Sequence, residues 1–98
     1  MAAIRRIVLD TLKPHEPGII ELAEKISDQP GVDAVNISIY EMDRKVENAK
    51  ITIEGNNIQV DEVFKIVKDY GASIHSIDEV VAGKKIIDDS ETPQDSYN

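Results

Sequence analysis

Residues 32–54 read VDAVNISIYEMDRKVENAKITIE, and this stretch decides the fold. Apolar and polar residues alternate on both sides of the charged run at 43–45, and a period of two is typical of strands with one buried face. A short polar run between two such strands predicts a turn. We therefore predict a hairpin with strands at residues 32–42 and 47–54. Its inward side chains are Val35, Ile37, Ile39, Ile51 and Ile53.

Helical spacing is present on both sides of this hairpin. Apolar residues at positions i, i+3, i+4 and i+7 form one face of a helix. The first helix follows Pro17, which suits the first helical position, and Pro30-Gly31 ends it. The second follows Asn57, a candidate N-cap, and ends before Gly71. The two apolar faces consist of Ile19, Leu22, Ala23 and Ile26, and of Val60, Val63, Phe64 and Val67.

Aliphatic stretches at residues 4–12 and 73–81 complete the pattern as the first and fourth strands. The order is then strand, helix, strand, strand, helix, strand, which is the split β-α-β, or ferredoxin-like, arrangement. Right-handed crossovers place the strands in the order 4-1-3-2. We expect an α+β domain with two helices on one face of a four-stranded antiparallel sheet.

The 98 residues allow one domain. The tail at residues 88–98 contains four acidic residues and no basic one, and we predict that it is disordered. The tail carries −4 of the net charge of −8, so the domain at residues 1–87 carries the other −4. A domain with a negative net charge repels phosphates, which argues against a nucleic-acid partner.

The sequence contains no cysteine, which excludes disulfides, thiolate metal sites and cysteine nucleophiles. Residues 1–6 reach charged side chains at once and show no apolar region of a signal peptide. The apolar runs are too short to span a membrane. We expect a cytoplasmic protein without a membrane partner.

No motif in the sequence indicates a catalytic reaction. It contains no nucleophile elbow, no phosphate-binding loop and no dinucleotide-binding glycine pattern. We therefore expect a protein that is not an enzyme. A less favoured enzymatic hypothesis uses His75 with Asp78 or Glu79 as acid–base groups.

The predicted topology gathers carboxylates at one end of the sheet, where strands one and two end and strands three and four begin. Carboxylate oxygens can hold a hard cation such as Ca²⁺ or Mn²⁺. Mixed carboxylate and imidazole ligation would instead suit a transition metal. The alternative is that the hairpin end is acidic only because it is solvated. The candidate metal ligands are Asp10, Glu41, Asp43 and Glu47.

Two histidines and an aspartate are candidate ligand-binding residues. His15 lies in the first strand–helix loop, and His75 and Asp78 lie in the fourth strand, which reads IHSIDEV at residues 74–80. Because this strand mixes polar side chains with isoleucines, we expect its polar side chains to face a binding partner. That partner is either a bound ligand or a second subunit.

One face of the predicted sheet has no helix to cover it. On strands two and three this face mixes polar and apolar residues, which suits contact with another subunit better than a second core. We therefore expect a homo-oligomer. The residues of this face are Asn36, Ser38, Tyr40, Met42, Lys50, Thr52 and Glu54.

Three strings together resemble a known family. They are YEMD at residues 40–43, KITIEG at 50–55 and IHSIDEV at 74–80, the last followed by AGK at 82–84. Over residues 4–87 the chain resembles the archaeal family called domain of unknown function 211. The resemblance implies a ferredoxin-like domain in a closed oligomer, such as a ring, with divalent metal binding as a suggested property. The polar positions that it covers are Glu41, Asp43, Glu54, His75, Asp78 and Glu79.

The first loop carries a second resemblance. The string PGII at residues 17–20, with NI at 36–37 after the helix, is similar to the amino-acid-binding regulatory modules called ACT domains. That resemblance implies an effector site near Gly18 at a subunit interface. Heavy-metal chaperones share the topology, but the loop at 13–17 lacks the C-x-x-C that they need.

Our leading hypothesis is an oligomeric binding module that takes a divalent cation or a small ligand at the polar end of the sheet or between subunits. The alternative is an effector-sensing regulatory module of the ACT type.

Overall fold

The computed structural model describes residues 2–90 as one sheet with two helices on one of its faces. The elements are β1 (Ile4–Pro14), α1 (Ile19–Ser27), β2 (Val32–Met42), β3 (Val46–Gly55), α2 (Val60–Asp69) and β4 (Ser73–Ala82). The strands neighbour each other in the order β2-β3-β1-β4, and every neighbouring pair is antiparallel. This is the predicted order read from the opposite edge, so the predicted ferredoxin-like fold is confirmed.

The hydrophobic core lies between the helices and the sheet. The apolar faces predicted for the two helices and the hairpin contribute to it, and the most deeply buried members each stabilise the fold by about 1.5–3 kcal/mol relative to an exposed side chain. These members are Ile7, Leu9, Leu22, Ile26, Ile51, Ile53, Val63 and Val67.

Strand β1 is longer than the sequence predicts and ends at Pro14 instead of residue 12. Its last residues, Lys13 and Pro14, pair with Glu47 and Val46 of β3. Proline is tolerated there because β4 starts opposite Leu12, so β1 has a neighbour on one side only at its end.

The N-terminal signals of both helices are wrong by a few residues. Pro17 lies outside α1, whose N-cap is Gly18. The N-cap of α2 is Gln59 and not Asn57. The backbone N–H of Asn57 donates to the Gly31 carbonyl at 3.3 Å, so this residue joins two loops, and α2 begins too far along the chain for Asn57 to be its N-cap.

The end of α2 is as predicted. Gly71 follows the C-cap Tyr70 with a φ of 81°, a left-handed conformation that glycine adopts without strain.

The face of the sheet opposite the helices is called the open face below. Neither described helix is long and apolar enough to cross a membrane. Residues 84–90 follow β4 and lie outside helices and strands. Most of the tail predicted to be disordered, residues 91–98, lies outside the described residues.

Candidate functional site

Arg6 is the charged centre of the open face. Its strand partner in β3 is Glu54, and Arg6 Nε donates to Glu54 Oε2 at 2.8 Å. Nη1 lies 3.4 Å from Glu79 Oε1 on β4 and 3.2 Å from Asp88 Oδ1, which follows β4. The Arg6 side chain is only 17% exposed, so three contacts hold a guanidinium in one place on the sheet.

These contacts change the electrostatics of the open face. The hydrogen bond that Arg6 donates to Glu54, and then the one that it donates to Asp88, raise the pKa of Arg6 above its ordinary value. Arg6 therefore remains a cation over the whole pH range of a folded protein. Three carboxylates surround one guanidinium, which leaves the immediate surroundings of Arg6 negative.

A groove of about 500 Å³ runs beside Arg6 on the open face. Its walls combine positive charge, negative charge and one aromatic ring, which can contact different parts of a small polar molecule. The residues that supply these groups are Arg6, Lys50, Glu54, Asp78, Glu79 and Tyr40.

A smaller hollow of about 240 Å³ adjoins the groove, and Tyr40 and Asp78 line both. Asp10 and Glu41 also line the hollow. His75 Nδ1 lies 3.3 Å from Asp10 Oδ2, within reach of a hydrogen bond from the imidazole to the carboxylate.

The four candidate metal ligands lie in different places. Asp10 and Glu41 share the hollow. Asp43 Oδ1 accepts hydrogen bonds from the amides of Lys45 and Val46, 2.8 and 2.9 Å away, inside its own turn. Those bonds lower the pKa of Asp43.

Glu47, the fourth candidate, is buried, and its carboxylate pairs with Lys13. Within residues 2–90 no three His, Cys, Asp or Glu side chains are placed to hold one metal ion.

Lys13 and Glu47 form an ion pair on the helix side of the sheet. Lys13 Nζ lies 3.2 Å from Glu47 Oε2 and donates to the Pro14 carbonyl at 2.7 Å. His15 lies on the outer side of this pair, with Nδ1 3.6 Å from Glu47 Oε1 and Nε2 2.8 Å from the Asp43 carbonyl. The first loop is therefore attached to the turn of the hairpin.

The candidate ligand-binding residues fall into two groups. His75 and Asp78 both lie at the open face, and Asp78 lines the groove. His15 and Gly18 belong to the β1–α1 loop. Gly18 has a φ of −76°, and a Cβ placed on it meets no atom within 4 Å, so the backbone itself does not require glycine.

Arg6 and Lys13 are site residues that were not predicted from the sequence. Both follow from the period of two along β1, because the buried Ile7, Leu9 and Lys13 share one face and Arg6 lies on the other. Lys13 is a charged residue at a core-facing position of β1, and this is the sequence signal for the buried ion pair.

The fold and its open face define the chain as a ferredoxin-like α+β protein. The sequence pattern of domain of unknown function 211, described as "Uncharacterized ArCR", matches residues 5–96. "Uncharacterized protein MJ0319" of Methanocaldococcus jannaschii is 57% identical over 97 residues, which cover 99% of this chain and 100% of that protein. The chain belongs to the domain of unknown function 211 family, so the resemblance noted in the sequence is confirmed.

Proposed function

We propose that this protein is a non-enzymatic binding module that takes a small zwitterionic molecule in the groove around Arg6. The observation that supports it is a guanidinium held in place beside carboxylates in a groove of about 500 Å³. An anionic group of the ligand would meet Arg6 or Lys50, and a cationic group would meet Asp78.

The pairing of the carboxylates favours binding over catalysis. Glu54 and Glu79 both contact the Arg6 guanidinium, so these carboxylates already serve as its hydrogen-bond acceptors and hold it in position, which suits a site that orients a ligand. The imidazole of His75 faces Asp10, which lines the neighbouring hollow.

We also propose that copies of the chain assemble edge to edge. Within residues 2–90 the outer edges of β2 and β4 pair with no further strand. On β4, Ile77 and Val80 are 50% and 53% exposed. Their strand partners are Leu9 and Ile7, which face the core, so these exposed side chains lie on the helix side of an unprotected edge.

Strand β2 of a second copy is a suitable neighbour for that edge. Its helix side carries three half-buried aliphatic residues, which would meet the exposed pair on β4. The two strands would run antiparallel, because β2 and β4 of one chain already have opposite directions. Contacts of this head-to-tail kind close into a ring when the rotation permits. The residues on β2 are Val35, Ile37 and Ile39.

The ligand proposal is tested by thermal shift with a panel of amino acids, and with Ca²⁺ and Mn²⁺ as separate arms. A bound zwitterion raises the melting temperature, because it binds the folded state only. Arg6→Met should remove that shift, and Arg44→Met, at the exposed hairpin turn, should keep it.

Each arm has a result that contradicts the proposal. No shift from any amino acid at millimolar concentration overturns it. A shift from Ca²⁺ or Mn²⁺ that Asp78→Asn removes would make the ligand a cation in the hollow. An amino-acid shift that survives Arg6→Met and disappears in Gly18→Phe would place the site in the first loop, as in an ACT module.

The assembly proposal is tested by light scattering. The wild-type chain should have a mass of several times 10.9 kDa. Val80→Lys places a charge in the proposed contact and should reduce the mass to that of one chain, whereas Ile20→Lys, on an exposed position of α1, should not. A monomeric wild-type chain at micromolar concentration would contradict the proposal.

A further inference from the structure

Residues 84–90 form a segment that we call the strap. Gly83, the residue before the strap, is attached to the beginning of β1. The Gly83 backbone N–H donates to the Ala3 carbonyl at 2.9 Å, and Arg5 Nε donates to the Gly83 carbonyl at 2.8 Å. Gly83 has a φ of 130°, which favours glycine, and the chain reverses there and returns along β4.

Asp88 is the side chain that attaches the strap to the sheet. Its Oδ1 accepts a hydrogen bond from Arg6 Nη1 at 3.2 Å. In the part of the chain that the structure describes, no other strap side chain makes a hydrogen bond or an ion pair. The Asp88 side chain is 85% exposed, and ion pairs so exposed to water and salt are weak.

A hollow of about 590 Å³ lies between the strap and β4. Ile87 and Asp88 line it from the strap, and Asp78 and Glu79 line it from β4. The last two residues also line the groove around Arg6, so the hollow beside the strap and the groove share a wall.

We propose that the strap is an autoinhibitory device, in which Asp88 occupies Arg6 and must leave before the groove can present that guanidinium to the anionic group of a ligand. This inference rests on the proposed binding function of the groove. It adds a competition within the chain, because Asp88 already provides the carboxylate that a ligand would bring. A weak, exposed contact suits this task, since a ligand can displace it.

The test measures how accessible Arg6 is to phenylglyoxal, a reagent that modifies arginine side chains. Peptide mapping by mass spectrometry gives the labelling rate of Arg6, with Arg44 in the exposed turn as the internal reference. Asp88→Ala should accelerate labelling of Arg6 by roughly two- to fivefold, the factor that corresponds to a surface ion pair. Asp89→Ala removes the same charge from the adjacent residue and should leave the rate unchanged.

Salt provides a second measurement. Raising sodium chloride to about 0.5 M should accelerate Arg6 labelling more in the wild type than in Asp88→Ala, because the most exposed of the three contacts is already absent in the variant. Equal Arg6 rates in the wild type and Asp88→Ala, or equal acceleration in both aspartate variants, would overturn the proposal. Labelling needs no ligand, so this result is independent of the amino-acid screen.

Discussion

Lys13 Nζ lies 3.2 Å from Glu47 Oε2, and both side chains are buried on the helix side of the sheet. The two residues are strand partners at the ends of β1 and β3. Each charge is compensated by the other, and Lys13 has a further acceptor in the Pro14 carbonyl. The pair therefore places two compensated charges on a side of the sheet where most buried side chains are apolar.

Removing one partner of this pair should destabilise the protein strongly. Glu47→Ala leaves the Lys13 ammonium buried without its carboxylate, and we expect a loss of about 3–5 kcal/mol in the free energy of unfolding. Replacing both residues, as in Lys13→Met with Glu47→Leu, should recover most of that loss because no buried charge remains. Urea denaturation measures both values. If the free energy of unfolding of Glu47→Ala lies within about 0.5 kcal/mol of the wild-type value, the ion pair contributes little to stability.

Asp43 should make the protein less stable in acid. The amides of Val46 and Lys45 lower the pKa of its carboxyl, so the folded state binds fewer protons than the unfolded state. Stability from this group is present above the unfolded pKa of about 4 and is lost as pH falls through the lower folded value. The difference between the urea midpoints of the wild type and of an Asp43 variant, taken at pH 7 and at pH 3, gives the size of that loss.

The variant Asp43→Asn can still accept both amide hydrogen bonds but cannot titrate. It should therefore show a smaller loss of stability between pH 7 and pH 3 than the wild type. Asp33→Asn, on an exposed position of β2, is the control and should behave like the wild type. An unchanged pH dependence in Asp43→Asn would be inconsistent with the assigned cause.

The position of the core can be checked with two matched truncations. Leu9 is fully buried, and Leu9→Ala should cost about 2–5 kcal/mol through lost burial and the cavity left behind. Ile20 on α1 is 76% exposed, and Ile20→Ala should change the free energy of unfolding by less than about 0.5 kcal/mol. Similar losses for both variants would mean that α1 presents a different face to the sheet.

Two glycines should respond in opposite ways to alanine. Gly31 has a φ of 87°, and a Cβ there would collide with the Asn57 carbonyl, so Gly31→Ala should destabilise the protein by more than about 1 kcal/mol. Gly18 has an ordinary φ and open space around it, so Gly18→Ala should be neutral or stabilise by up to about 1 kcal/mol. Thermal melts of the two variants distinguish these outcomes, and a tolerated Gly31→Ala would contradict the close approach of the two loops.

The hairpin and the two helical faces could be predicted because their signals are local. Alternation and the i, i+3, i+4, i+7 spacing depend only on which neighbours share a face. The start of α2 could not be predicted in this way. Asn57 has the side chain of an N-cap, but its backbone N–H donates to the Gly31 carbonyl of another loop, and α2 begins only at Val60. A hydrogen bond between residues so distant in sequence cannot be predicted from the local sequence pattern.

In the candidate site, Glu41 is a residue whose position the local sequence pattern does not predict. Strict alternation would place Glu41 on the side of Ile39, facing the helices. The register of β2 against β3 shifts between these two residues, so Ile39 pairs with Ala49 and Glu41 pairs with Asn48. That bulge brings Glu41 to the hollow beside Asp10, and one inserted residue is enough to exchange the two faces of a strand.

The sequence by itself determined the order of the elements, the strand topology and the core, because apolar periodicity and chain-crossover handedness suffice for them. Only the tertiary structure decided which charges meet. Arg6, Glu54, Glu79 and Asp88 are far apart in the chain and converge because β1 lies between β3 and β4 and the strap returns over β4. Side-chain contacts of this kind depend on register and on bulges, which a single sequence does not encode locally.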